Sequence, residues 1–340
     1  MKKNAKAQWY VIIVLMICCV YGTANWTWAE QAEQDQQTLD SLKKIDDFPL
    51  YEMHYYGDYE FDAFLKQGLG PVSQSQFSFQ PPEKNWACTC FAALHADADR
   101  LFGRNFDWML HPALLLFTNP PNGYASVSMV DISYLGFSRD DSSLADLTPL
   151  LQAPYLPFDG MNERGLAVGM MALSSADGGH DPQKVTIGSL HVIRLLLDYA
   201  GDVEQAISLL QQYNVDFTGG PPLHYLIADN HGNSAIIEYI DGEMKVICPA
   251  TPWQVATNFI LSGIDPKEWK AYCNRYATAE AQLTSKNGRL SPAESMALLQ
   301  EVSQNATIWS LVYNMTSGDI QVVMNRQYEQ TYHFSLRVQP

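Results

Sequence analysis

Basic residues are scarce in this chain. Its 21 lysines and arginines stand against 37 acidic residues, a formal net charge of −16. No basic run or basic–aromatic stripe interrupts that balance, which argues against a nucleic-acid partner and against electrostatic docking on anionic membranes. Cysteine is sparse as well: six in 340 residues are too few for a disulfide scaffold. The C-x-C pair at Cys88 and Cys90 is not repeated, and no histidine pair completes a zinc site. A G-x-S-x-G elbow, an H-E-x-x-H helix, a P-loop and a G-x-G-x-x-G fingerprint are all missing. Serine-elbow hydrolases, zincins, P-loop enzymes and dinucleotide-binding folds are thereby set aside. What is present is apolar: 47% of residues are hydrophobic and 17% charged, the balance of a globular protein able to bury a large core.

Residues 1–29 have a separate character. Lys2, Lys3 and Lys6 precede an apolar run from Trp9 to Tyr21, and Thr27-Trp28-Ala29 places small residues where a signal peptidase reads them. The run is shorter than the ~20 residues of a spanning helix, so a cleaved signal peptide and an exported protein are expected, with an uncleaved anchor as the competing reading. Cys18 and Cys19 leave with that segment. Cys88, Cys90, Cys248 and Cys273 stay.

Residues 30–50 are polar and charge-dense and predict a solvated linker. Tyr51–Gly68 is aromatic and acidic and is expected to pack on the main body. Gly70–Lys84, rich in Gly, Pro, Ser and Gln, predicts a loop ending at Asn85-Trp86-Ala87-Cys88. From Cys88 onward the pattern is β: apolar runs at Cys88–Leu94 and Leu101–Trp108 flank turn chemistry at His95–Arg100. Helical spacing appears at Leu190–Tyr199, at Val203–Gln212 behind an Asp202 cap, and at Glu268–Leu283. Ser291-Pro292-Ala293-Glu294 reads as a capping box. Strands and helices come in blocks rather than strict alternation, so the expected class is α+β, with stacked antiparallel sheets flanked by helices.

The first hairpin draws attention to a cysteine. With Asp97-Ala98 at the centre of the turn, Cys88 faces Asp107 with Cβ atoms ~5 Å apart. The same register puts Arg104 opposite Phe91 on the other face, so a bulge is needed for Arg104 to reach Cys88.

Cys88-Thr89 followed by Gly103-Arg104-Asn105-Phe106-Asp107 resembles the opening of the choloylglycine hydrolase superfamily. The similarity continues at Gly160–Leu166, Ala256-Thr257-Asn258-Phe259, Asn274-Arg275-Tyr276 and Thr307-Ile308-Trp309-Ser310. Each motif is weak alone, but five in order span nearly all of residues 88–340. The resemblance implies a four-layer αββα N-terminal-nucleophile (Ntn) hydrolase fold and autoproteolysis at Ala87–Cys88. Residues 1–29 then act as a signal peptide, 30–87 as a pro-segment that remains bound as a small chain, and 88–340 as the hydrolase domain. By the same resemblance Cys88 is the nucleophile and its free α-amine the base. Arg104 polarises the thiolate, Asp107 orients the amine, Asn258 donates to the oxyanion and Arg275 fixes the geometry or the substrate.

No metal or cofactor is required. The implied partner is a small N-acyl amide with an apolar acyl part, cleaved through an acyl-thioester; the sequence leaves the oligomeric state open, a homo-oligomer being one arrangement. An acyltransferase using the same thioester, or a secreted binding protein with a dead site, fits the same residues. One departure stands out. Where the bile salt enzymes carry an asparagine, this chain reads Met170-Met171-Ala172-Leu173, which leaves only a backbone amide to donate there.

Overall fold

The computed structural model describes residues 29–69, 87–138, 146–218 and 220–339. The expected signal peptide, apart from Ala29, and the expected loop from Gly70 lie outside the described residues.

Along the chain, helix α1 (29–40) leads into strands β1 (Lys43–Asp46) and β2 (Leu50–Tyr55) and helix α2 (Phe61–Gln67). Then come β3 (Ala87–Ala93), β4 (Leu101–Asp107), β5 (Ala113–Thr118), β6 (Ser126–Asp131), β7 (Pro157–Asn162) and β8 (Ala167–Ala172). Next are β9 (Val185–Gly188), α3 (Ser189–Tyr199), α4 (Val203–Leu210), β10 (Tyr213–Asp216), β11 (Leu223–Ala228), β12 (Ser234–Ile240), β13 (Glu243–Ile247) and β14 (Trp253–Ala256). The chain finishes with α5 (Asn274–Ser285), α6 (Pro292–Glu301), β15 (Thr307–Asn314), β16 (Asp319–Met324) and β17 (Tyr332–Ser335).

Among the described residues, nine strands form one sheet in the order β1-β2-β5-β6-β7-β8-β11-β12-β13. Six form another, β14-β3-β4-β15-β16-β17. The sheets meet face to face through β3 against β8 and β11. Helices α3 and α4 cover the outer face of the first sheet, and α5 and α6 that of the second. This is the expected αββα sandwich. The central strands β3, β4, β7, β8 and β11 are buried almost throughout, since a strand covered on both faces must be apolar on both. Where the sheets approach most closely the sequence supplies glycine. A Cβ on Gly169 in β8 would lie 3.0 Å from the Cys90 sulfur and 3.1 Å from an Arg104 nitrogen.

Two expectations are corrected. Residues 30–50 are not a solvated linker but α1 followed by β1 and β2. Side-chain pairs one turn apart, Gln31–Asp35 at 2.8 Å and Gln36–Asp40 at 2.7 Å, support a helix whose polarity hid it. Strand β2 then buries Leu50 and Met53 and pairs in parallel with β5. The helix expected over Glu268–Leu283 is broken: a 3-10 turn at Pro266–Ala271 stops before α5 begins at Asn274. The capping box at Ser291 and the Asp202 cap form as read, Ser291 Oγ accepting from the Glu294 amide and Asp202 from that of Gln205.

Candidate active site

The β3–β4 register places the site. Cys88 pairs with Phe106, Cys90 with Arg104 and Ala87 with Asp107. The hairpin therefore turns about Asp97, one residue off the sequence-based register, because the loop holds an odd number of residues. A one-residue slip exchanges the faces of a strand. Arg104 accordingly shares the face of Cys88 and Cys90 and needs no bulge, while Asp107 sits across from Ala87 rather than Cys88.

Around Cys88, three backbone and side-chain atoms are each addressed by a different group. Its nitrogen donates to Asn258 Oδ1 at 2.6 Å. Its sulfur lies 4.0 Å from Arg104 Nη2. Its carbonyl oxygen accepts from Arg275 Nη1, which also donates to Thr89 Oγ1 at 2.8 Å. Arg275 Nη2 reaches Asn258 Oδ1 at 2.9 Å, and Arg275 stands 3.8 Å from Asp107. All five residues singled out in the sequence thus meet at one point. They come from β3, β4, the segment after β14, and the first turn of α5.

Asn258 is used differently in this intact chain from the oxyanion role expected of it. Its Oδ1 holds the Cys88 nitrogen, and its Nδ2 donates to the Ala172 carbonyl at 2.8 Å. Ala172 belongs to the stretch where the bile salt enzymes carry their asparagine. The backbone here offers a carbonyl, while the next amide, that of Leu173, is already bonded to Pro222 O at 2.8 Å.

Sequence reasoning passed over Asp159, the counter-ion of Arg104. It is fully buried, 2.9 Å from Arg104 Nε as an ion pair rather than an aligned hydrogen bond. Its oxygens accept from Tyr313 Oη at 2.8 Å and Trp309 Nε1 at 3.2 Å. A lone acid in the apolar strand Pro157–Asn162, just before a glycine motif, was the available signal. Arg104 also donates to Met170 O and to the Cys90 sulfur at 3.5 Å.

Burial raises the Cys88 thiol above its ordinary range, and the nearby Arg104 only partly opposes this. Burial pushes the Cys90 thiol to about 12, consistent with a core sulfur. Asp107 is lifted by burial from 3.8 to about 6 although Thr307, Arg275 and Arg104 all favour its charge. Its Oδ1 accepts from Thr307 Oγ1, while Oδ2 is buried and has no hydrogen-bond donor among the described residues.

A carboxyl raised in the folded state favours folding at low pH, and that contribution is lost as pH rises through about 6. Asp107→Asn in an unprocessed Cys88→Ala chain is therefore expected to raise the unfolding temperature more at about pH 7 than at about pH 4. Equal shifts in paired thermal melts at the two pH values would contradict this.

The αββα sandwich sets Cys88, the second residue of inner strand β3, beside two arginines, an aspartate and an asparagine, the fold class of the Ntn hydrolases. The chain belongs to the linear amide C–N hydrolases, choloylglycine hydrolase family, whose family model matches residues 88–259. It is 28% identical over 185 residues to a penicillin V acylase of Pectobacterium atrosepticum. That match covers 51% of this chain and 49% of the relative, so it spans about half the length of that protein. The fold is similar to that of a mutant conjugated bile acid hydrolase from Clostridium perfringens, with a TM-score of 0.54 and 16% identity, covering 73% of this chain and 92% of that one. It is also similar to penicillin V acylase from Agrobacterium tumefaciens, with a TM-score of 0.53 and 18% identity, covering 73% and 86%.

Proposed function

We propose that this chain is the precursor of an exported, self-cleaving amidase that hydrolyses the linear C–N bond of a small N-acyl compound through a thioester on Cys88. The observation that carries this reading is the separate engagement of the nitrogen, sulfur and carbonyl of one cysteine by Asn258, Arg104 and Arg275. A structural thiol needs no such arrangement. In the uncut chain the thiol is held protonated by burial and its nitrogen is an amide without basicity. Processing changes both.

In the first event the thiol adds to the Ala87 carbonyl, the bond to the Cys88 nitrogen breaks as that nitrogen takes a proton, and water hydrolyses the resulting thioester. The liberated α-amine, with an ordinary pKa of ~8, can then accept the thiol proton when Cys88 attacks substrate. Asp107 Oδ2, buried without a donor across from Ala87, suits the new amine. The developing thiolate lies beside Arg104. An asparagine amide carries two hydrogens, so Asn258 Nδ2 can keep Ala172 O and offer its other hydrogen to the oxyanion, a contribution typically worth ~10²–10³ in rate. The amine of the substrate leaves, and water releases the acid.

Contacts made by residues 50–62 support retention of the segment before Cys88. Strand β2 is integral to the larger sheet, Phe61 is buried, Tyr59 Oη donates to Asp198 at 2.8 Å, and Tyr199 Oη donates to Asp62 at 2.5 Å. We infer that residues 30–87 remain bound as a small chain and that residues 1–29 direct export. Among the described residues no helix is long and apolar enough to cross a membrane.

The test joins intact mass to turnover. Expected are two polypeptides separated at Ala87–Cys88 that release free acid from penicillin V or a conjugated bile acid without an added amine. An uncut chain inert towards both would indicate a dead scaffold. Product formed only with an added amine would indicate an acyltransferase.

A further inference from the structure

The segment that carries Asn258 is held by a buried pair outside the catalytic group. His224 in β11 and Glu238 in β12 are both fully buried. His224 Nδ1 lies 3.1 Å from Glu238 Oε1, and Nε2 lies 2.6 Å from the Thr257 carbonyl oxygen. Glu238 Oε1 also accepts from the Leu261 amide at 2.8 Å, and Oε2 from the Ser262 amide at 2.8 Å. One histidine–glutamate pair of the nine-stranded sheet thus grips residues 257, 261 and 262. These lie on either side of Asn258, just beyond the last residue of β14 in the opposite sheet.

The hydrogen-bond inventory constrains the proton. A carbonyl oxygen only accepts, so Nε2 must carry a hydrogen. A carboxylate only accepts, so Nδ1 must carry one too, unless the carboxyl supplies it. Two backbone N–H donors aimed at Glu238, one on each oxygen, favour the carboxylate. Burial works to raise the Glu238 carboxyl, but His224 and the Leu261 and Ser262 bonds outweigh it and leave it below its ordinary range. A buried polar pair of this kind adds little net stability over an apolar pair of the same shape, though it fixes geometry.

We propose that His224 and Glu238, as a buried hydrogen-bonded pair, are positioning residues that set the place of Asn258 against the Cys88 nitrogen and the oxyanion. Neither touches the reacting atoms. The pair acts through Thr257, whose carbonyl it anchors, and through the Leu261 and Ser262 amides, which stop the segment from swinging away. This rests on the amidase reading of Asn258. A shift of ~1 Å in such a group can cost ~10² in rate, so the effect should fall on kcat rather than KM.

The test uses the full-length chain. With ¹⁵N-labelled histidine, the one ring signal that vanishes in His224→Gln is expected to carry a hydrogen on Nε2, held to a carbonyl oxygen. The Leu261 and Ser262 amides should exchange slowly. In turnover, His224→Ala should lower kcat about 10²-fold with KM changed less than about threefold. His224→Gln, whose amide can still donate to Thr257, should recover part of the loss. A His224 ring with no hydrogen on Nε2 overturns the proposal, as does a folded His224→Ala enzyme with unchanged kcat. If His224→Ala does not fold, the wild-type spectrum decides. Should the wild-type chain hydrolyse no amide, the functional reading fails on its own, while the spectrum and the exchange rates still report on the clamp.

Discussion

Cys88→Ala is expected to leave one uncut polypeptide with no detectable amide hydrolysis, while Cys90→Ala is cut and active. The two sulfurs share a face of β3, yet their surroundings differ. Cys90 is wholly enclosed between Arg104 and Gly169, with its thiol pushed up to about 12. It also has no asparagine at its nitrogen. Cys88 is the second residue of β3, and its amide is the one that cleavage would turn into an amine. Mass spectrometry and acid release on both variants check this. Processing that survives Cys88→Ala but not Cys90→Ala would transfer the nucleophile by one pleat.

The second large effect concerns stability. Arg104 and Asp159 are both fully buried, and Asp159 has no other cationic partner at ion-pair distance among the described residues. Arg104→Met leaves that carboxylate in the core with only Trp309 and Tyr313 for company. Removing one member of a buried pair typically costs about 3–5 kcal/mol, whereas removing both is far milder. Urea unfolding of the Cys88→Ala chain should therefore show a large loss for Arg104→Met and partial recovery in Arg104→Met/Asp159→Asn. If the double variant is no more stable than the single one, the pair is not the unit that bears the charge.

These two expectations rest on different kinds of information. The candidate nucleophile, both arginines, Asp107 and Asn258 were visible in the linear order of short motifs. Their assembly was not. The β3–β4 hairpin shows why: alternating apolar residues define two strands, but a turn of one residue more or less fits the same letters and reverses which side chains face each other. Only packing of the hairpin between β14 and β15, and against β8, selects the register in which Arg104 lies beside both sulfurs. The same limit hid α1 and β1. Their polar residues look like linker, and only docking beside β2, itself paired with β5, makes them structure.

Asp159, His224 and Glu238 escaped notice for a related reason. A single charged residue in an apolar strand signals that a partner exists without saying which one. Arg104 and Asp159 are 55 positions apart, and His224 meets a carbonyl 33 positions away. Composition and periodicity by themselves determined an acidic, globular α+β chain. The tertiary structure alone decided which charges are paired in the dark between the sheets, because desolvation makes a buried ion tolerable only beside a particular partner. That partner is chosen by how two sheets stack, which no local run of residues encodes.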